Sequence, residues 1–295
     1  MILGMDIGGT NCRIGEFIPP CGVVNFEMFP TRKVFSSTPP VKALAEMISD
    51  YVLRHGENRT PKGICIGFPA TIDKAKTTVL SAPNIPTLSG KEIKESLSAL
   101  LGFPVWIERD VNLLLLHDLA HHHLSADGTV VGVYVGTGIG NAIFIDGKIY
   151  DGKHGVAGEL GHIPVKGSEV VCGCGNVGCA EPLSGGRRLK ELQATCFPDT
   201  HISQLFVSHK SHPLLLDMID TMALPIAAEI NILDPDIVML GGGVLQMEGF
   251  PIDLLLEKIR FHARKPYPAQ DLLVYLSPAS QESGVIGAGI YVTKQ

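Results

Sequence analysis

Charge is scarce in this sequence. Asp, Glu, Lys and Arg together make up 18% of it, and no basic run is longer than a short pair such as Arg187-Arg188. With 24 Lys and Arg against 30 Asp and Glu the formal net charge is −6, so the electrostatic footprint of a nucleic-acid-binding surface is missing and no such partner is expected. No apolar run reaches the roughly 18 residues of a membrane-spanning helix, which excludes a membrane partner of that kind. The first residues, Met1 to Met5, read as a strand, without a basic segment and a cleavable apolar one. These absences together predict a cytoplasmic location.

What the sequence does have is glycine, 33 residues in a chain of 295, and its placement is ordered. The stretch Met1 to Phe17 reads as strand, turn and strand, with the turn at Asp6-Ile7-Gly8-Gly9-Thr10-Asn11. The stretch Val130 to Gly147 repeats that pattern around Gly136-Thr137-Gly138-Ile139-Gly140. A repeat at this separation predicts two similar halves facing each other. A third cluster, Gly241-Gly242-Gly243, follows the buried-strand pattern Asp236 to Leu240. Between these turns, strand-like runs (63–68, 104–108) alternate with helical spacing (41–54, 111–124, 214–233), which is the signature of an α/β fold with mostly parallel sheets. The repeat sets a domain boundary near residue 115: 1–115 form a smaller domain completed by a C-terminal helix over 283–295, and 116–282 a larger one.

Phosphate binding needs several backbone N–H groups aimed at one point, and glycine lets the backbone approach that closely. Gly8, Gly9, Thr10, Asn11, Gly136, Thr137, Gly138, Gly140, Gly241, Gly242 and Gly243 are therefore candidate phosphate contacts, with hydroxyl donors from Thr10 and Thr137. Asp6, just ahead of the first turn, suits Mg²⁺, which prefers one or two carboxylates plus phosphate oxygens. A Walker A loop is excluded because no Gly-Lys-Ser/Thr follows and each of the first two turns leads into a strand. Phosphoryl transfer to a hydroxyl also needs a carboxylate to accept the proton. Asp110 stands where a strand gives way to a helix and is the candidate, though the same position is common for an ordinary helix cap. Asn84, held between prolines in Ser81-Ala82-Pro83-Asn84-Ile85-Pro86, is placed to meet sugar hydroxyls or simply to make a turn.

Of the seven cysteines, Cys172, Cys174 and Cys179 fall within eight residues, ten beyond His162. Three thiolates and one imidazole complete a closed tetrahedral Zn²⁺ site, structural because no position is left for water. Glu159 and Glu181 flank this segment. Cys12, Cys21, Cys65 and Cys196 read as buried or incidental thiols, and His121-His122-His123 as a solvated helix face.

These motifs, taken together over nearly the whole chain, resemble the ROK family of sugar kinases (repressor, open reading frame, kinase), which has the actin-like ATPase (ribonuclease H-like) fold: two similar α/β domains with a cleft between them and a zinc-bound loop. The resemblance implies that Asp110 is the catalytic base, that Asn84, Glu159, His162 and Glu181 hold the sugar, and that His162, Cys172, Cys174 and Cys179 bind zinc. It implies that the glycine turns take ATP with Mg²⁺ and that the protein is a homodimer. Two departures bear on the sugar. The family's usual Glu-Asn-Asp-x-Asn reads Glu108-Arg109-Asp110-Val111-Asn112, placing a cationic fork at Arg109 where an amide commonly meets the substrate, and the usual Pro-Gly reads Pro69-Ala70. Both look similar to D-allose kinases, so the expected reaction is transfer to the 6-hydroxyl of D-allose, with N-acetylmannosamine kinase, glucokinase and fructokinase as alternatives. A sugar-sensing regulator is disfavoured because the first strand begins at residue 1, with no helix-turn-helix ahead of it. Asn141 departs from a third glycine found in many members.

Overall fold

The computed structural model describes residues 1–36, 39–125 and 127–295. The chain forms two compact units. The first comprises Met1–Ser125, Asp151–Ala157 and Ser280–Gln295, the second Ala126–Tyr150 and Gly158–Ala279.

The first unit is built on strands β1 (Ile2–Ile7), β2 (Asn11–Ile18), β3 (Gly22–Pro30), β4 (Gly63–Phe68) and β8 (Val105–Arg109). They form one sheet in the order β3-β2-β1-β4-β8, with β1 to β3 antiparallel and β4 and β8 parallel to β1. Every residue of β4, Gly-Ile-Cys-Ile-Gly-Phe, is buried, as a central parallel strand covered on both faces requires. One cover is the helix Pro40–His55, which buries Leu44, Ile48 and Tyr51 at helical spacing. Three short strands, β5 (Thr71–Ile72), β6 (Thr78–Ser81) and β7 (Lys91–Glu92), make a separate small sheet. Helix Asp110–His121 packs against the C-terminal helix Ser283–Thr293, which also lies on β1. That helix sits too close for side chains. A Cβ on Gly287 would lie 1.9 Å from the Leu113 carbonyl oxygen, and one on Gly4 of β1 would lie 2.0 Å from that of Val285.

The second unit repeats the plan. Strands β9 (Thr129–Val135), β10 (Ile139–Ile145), β11 (Lys148–Ile149), β12 (Ile237–Gly241) and β13 (Val274–Leu276) form a sheet in the order β11-β10-β9-β12-β13. Again two antiparallel neighbours precede two parallel ones. Helix Pro213–Leu233 supplies Leu215, Met218, Met222, Ile226 and Ile230 to the core, and their three- and four-residue spacing is the stripe legible in the sequence.

The domain boundary expected near residue 115 falls instead after Ser125. The reason is that helix Asp110–His121 is continuous and packs whole against β4, β8 and the C-terminal helix. Membership of Asp151–Ala157 in the first unit has no periodic signal in the sequence.

Candidate functional site

In the first unit the Gly8-Gly9-Thr10 turn joins β1 to β2. It is closed by the Gly8 N–H donating to the Asn11 carbonyl at 2.9 Å and braced by Thr31, whose hydroxyl donates to the Gly8 carbonyl at 2.7 Å. Asn84 lies beside it, its Cβ 3.7 Å from where a Cβ on Gly9 would stand. Asp6, near the end of β1, accepts from Arg13 Nη1 at 3.1 Å, and Arg13 also donates to the Gln281 side chain at 2.7 and 3.0 Å. Burial raises the Asp6 carboxyl above the ordinary carboxylate range, opposed by the Arg13 charge.

Asp110 is the first residue of its helix, with Arg109 in the capping position. Its Oδ1 accepts from the Val111 N–H at 2.9 Å. The end of this helix is held from the strand side, where the buried Glu108 accepts from the Arg109 N–H and from Asn112 Nδ2, each at 2.9 Å. A Cβ on Gly67 would stand 3.4 Å from Asp110 Cα and 3.6 Å from Asp6 Oδ1, so the Asp110 backbone and the Asp6 carboxylate both border one glycine of β4. Burial, and then the negative charge of Asp6, pushes the Asp110 carboxyl up to about 7. This is the range of a group that gives and takes a proton near neutral pH. Arg13 and Gln281 belong to this cluster and escaped the sequence reading, because neither lies in a motif; the sheet register sets Asp6 opposite Arg13 and Gly67, and the Arg13 guanidinium brings in Gln281. The Arg109 guanidinium donates to the Ala157 carbonyl.

In the second unit the Gly136-Thr137-Gly138 turn joins β9 to β10, tied by the Gly136 N–H to the Gly138 carbonyl at 3.0 Å. The helix Gly186–Cys196 docks onto it, with the Gly186 and Arg187 N–H groups donating to the carbonyls of Gly136 and Thr137. Gly140, expected in this turn, lies instead inside β10 opposite Tyr134, because the hairpin closes at Val135 and Ile139. Asn141 points into the core, its Nδ2 donating to the Gly132 carbonyl and to Glu229 at 3.1 and 3.0 Å while its buried Oδ1 has no partner. The third turn follows β12. Gly242 has φ +96°, and a Cβ there would lie 2.4 Å from the Val135 nitrogen, which only glycine tolerates. Beside Gly241 opens a cavity of about 280 Å³ lined by Leu245, Gln246, Phe250, Leu276 and Ser277.

Glu159 and His162 meet in a single tight turn, with His162 Nε2 3.5 Å from Glu159 Oε2. The other ring nitrogen, Nδ1, is 3.5 Å from Cys172 Sγ, and Cys174 Sγ is 3.7 Å from Cys179 Sγ. The four donor atoms lie within 4.8 Å of one another. A tetrahedron with Zn–S bonds of about 2.3 Å has S···S edges of about 3.8 Å, so the donor set fits that ion in chemistry and size. Glu181 turns toward the glycine turn, its Oε2 accepting from the Ile139 N–H at 3.0 Å where a Cβ on Gly138 would clash at 2.1 Å. Thr137, Glu181 and Arg187 also line a cavity of about 190 Å³ beside Cys172.

The whole of this framework, residues 2–295, matches the ROK family model. The chain belongs to the ROK family. It is 30% identical over 260 residues to an N-acetyl-D-glucosamine kinase of Aliivibrio salmonicida, covering 83% of this chain and 84% of that one. The ROK hexokinase of Thermus thermophilus has the same fold, with a TM-score of 0.78 at 28% identity, over 99% of this chain and 98% of that one. A ROK family transcriptional regulator, homologue of the E. coli MLC protein, superposes with a TM-score of 0.84 at 20% identity, covering 99% of this ROK chain but 77% of the regulator. The fold is thus shared by kinases and regulators, and the choice between them rests on the site residues. No helix among the described residues is long and apolar enough to cross a membrane.

Proposed function

We propose that this ROK protein is a sugar kinase that moves the γ-phosphoryl group of ATP to a hydroxyl of a hexose, with Asp110 as the base that takes the hydroxyl proton. The observation that carries the reading is the Asp110 carboxyl at about 7, held at a helix start beside Asp6. A carboxylate in that range accepts a proton in the transition state and releases it afterwards near neutral pH. The named activities of the kinase relatives support the reaction class.

In this reading the turns at Gly8-Gly9-Thr10, Gly136-Thr137-Gly138 and Gly241-Gly242-Gly243 present backbone N–H groups to the phosphates, and the cavity beside Gly241 takes the adenine ring. Mg²⁺, when bound, neutralises phosphate charge; Asp6 suits it, since one carboxylate oxygen stays uncommitted to Arg13. Asn84, Arg109, Glu159, His162 and Glu181 face or position the sugar. Zn²⁺ on His162, Cys172, Cys174 and Cys179 is structural and replaces a hydrophobic core for a loop rich in glycine and cysteine. We assign D-allose as the sugar and its 6-hydroxyl as the acceptor, on the strength of Arg109 and Pro69-Ala70, and a cytoplasmic homodimer as the working form.

The test is a coupled ADP-release assay with Mg²⁺-ATP against D-allose, D-glucose, D-mannose, D-fructose, N-acetylglucosamine and N-acetylmannosamine, with kcat/KM for each. The highest value on D-allose is expected. A preference for an N-acetylated sugar would overturn the allose assignment and keep the kinase. No turnover on any sugar, with ATP bound, would overturn the kinase in favour of sensing.

A further inference from the structure

Lys76 takes no part in the reaction assigned above, yet its placement is costly twice over. Its backbone has φ +54°, a left-handed conformation that residues with side chains rarely adopt. Its ammonium, on a side chain only 21% exposed, reaches inward to the Glu108 carboxylate, itself 2% exposed. It also lies 3.3 Å from Asp151 Oδ2 and 5.7 Å from the centre of the Tyr291 ring. Such an expense at one residue calls for a return elsewhere.

The return lies in what Glu108 does. Its Oε1 accepts from the N–H of Arg109 and the side chain of Asn112, and its Oε2 from Lys76. The carboxylate therefore grips the chain on both sides of Asp110, where strand β8 becomes helix. A buried carboxylate deprived of its cation relaxes toward water or another partner, and the two bonds that bracket Asp110 would relax with it. Lys76 reaches further. Asp151, its second partner, opens the segment Asp151–Ala157 of the first unit. That segment is also fixed at Gly155, where a Cβ would lie 2.5 Å from the Ile72 carbonyl oxygen, and at Ala157 by Arg109.

We propose that Lys76 is a positioning residue for phosphoryl transfer: it holds Glu108 against the strand-to-helix junction so that Asp110 keeps its aim, and anchors the strap Asp151–Ala157 to the same point. The proposal rests on Asp110 being the base.

The test compares Lys76→Met, Lys76→Gly and Lys76→Arg with the double variant Lys76→Met/Glu108→Gln, each as the full chain. For Lys76→Met, kcat falls roughly 10- to 100-fold, the cost of about an ångström of misplacement, while KM for ATP and for sugar changes less than about threefold. Lys76→Arg recovers most of the rate. Lys76→Gly removes the backbone strain together with the ammonium, so it is expected to be as slow as Lys76→Met; wild-type kcat in this variant would overturn the proposal in favour of a turn residue. The double variant restores charge balance without the grip and is expected to stay slow, so a wild-type rate there would show that only charge mattered. Amide hydrogen exchange at residues 109–113 gives a readout free of activity: faster exchange in Lys76→Met supports the brace and unchanged exchange overturns it. A wild-type protein that phosphorylates no sugar would sink the kinase reading alone, and the exchange result would still decide the brace.

Discussion

Replacing Asp110 by Asn should separate what the carboxylate does for catalysis from what it costs the fold. The rise from 3.8 to about 7 is about three units, and each unit corresponds to ~1.4 kcal/mol, so full desolvation would set the penalty near ~4 kcal/mol. Asp110 keeps part of its surface in water, and screening there brings the expected figure to about 1–3 kcal/mol. Because the folded-state value is the raised one, the native protein holds this proton to higher pH than the unfolded chain does. The penalty is therefore absent below about pH 4, grows as pH rises through about 7, and is complete above that. Asn carries no charge, so the variant should gain stability over the same window, with urea midpoints close to wild type at pH 4 and clearly higher at pH 9. Its kcat should fall about 10²- to 10⁴-fold with sugar binding retained. Wild-type kcat should in turn rise through an acid limb near 7 as the base loses its proton. Equal midpoint differences at both pH values, or turnover within tenfold of wild type, would refute the reasoning.

Three further outcomes follow from other residues. Elemental analysis of protein purified without chelator should find one zinc per chain, and Cys174→Ser should lose it together with protection of residues 155–185 in hydrogen exchange; zinc-free wild type with those residues protected counts against the site. Burial raises Glu229 to about 8, with Asn141 opposing, so Glu229→Gln should leave stability nearly unchanged at pH 5 and add roughly 2–4 kcal/mol by pH 9, read by urea denaturation. Arg109→Asn removes the donor to the Ala157 carbonyl and restores the amide usual in the family; it should lower kcat/KM for D-allose relative to D-glucose by about tenfold or more, and an unchanged ratio removes Arg109 from sugar selection.

The glycine turns, the strand pattern around them and the Cys/His cluster were legible because each is encoded locally, by strand, turn and strand or by close ligand spacing. The matched strand orders of the two sheets bear out the internal repeat at Asp6 and Gly136. Misreadings gather where tertiary contact decides. Gly140 resembled part of its turn, yet hairpin register carries it into β10. Other contacts were not misread but simply unmarked: Glu181 sits two residues past a zinc-type cysteine, and nothing near it in sequence announces that its carboxylate meets the Ile139 N–H across 42 residues. Arg13 and Lys76 show no periodicity or motif that marks them, and Glu108, although it opens the Glu-Arg-Asp-Val-Asn run, bears no local sign of its ion pair with Lys76; the importance of all three comes from the neighbours that the fold supplies. The boundary near residue 115 failed for a related reason, since a repeat marks equivalent points and not where a helix docks.

The C-terminal helix has a consequence for the order of assembly during synthesis. Most of the second unit's chain, Gly158–Ala279, is made before Ser280–Gln295, whereas the first unit begins at Met1 and awaits those last residues. Its sheet can pair early, but the helix that packs on β1 through Gly4 and Gly287 arrives last. The usual vectorial order, in which N-terminal domains finish first, is inverted here: the later-made unit matures while the earlier one waits with an apolar sheet face uncovered. A released chain truncated after residue 279 should accordingly resist protease across its second unit and be cut readily within its first.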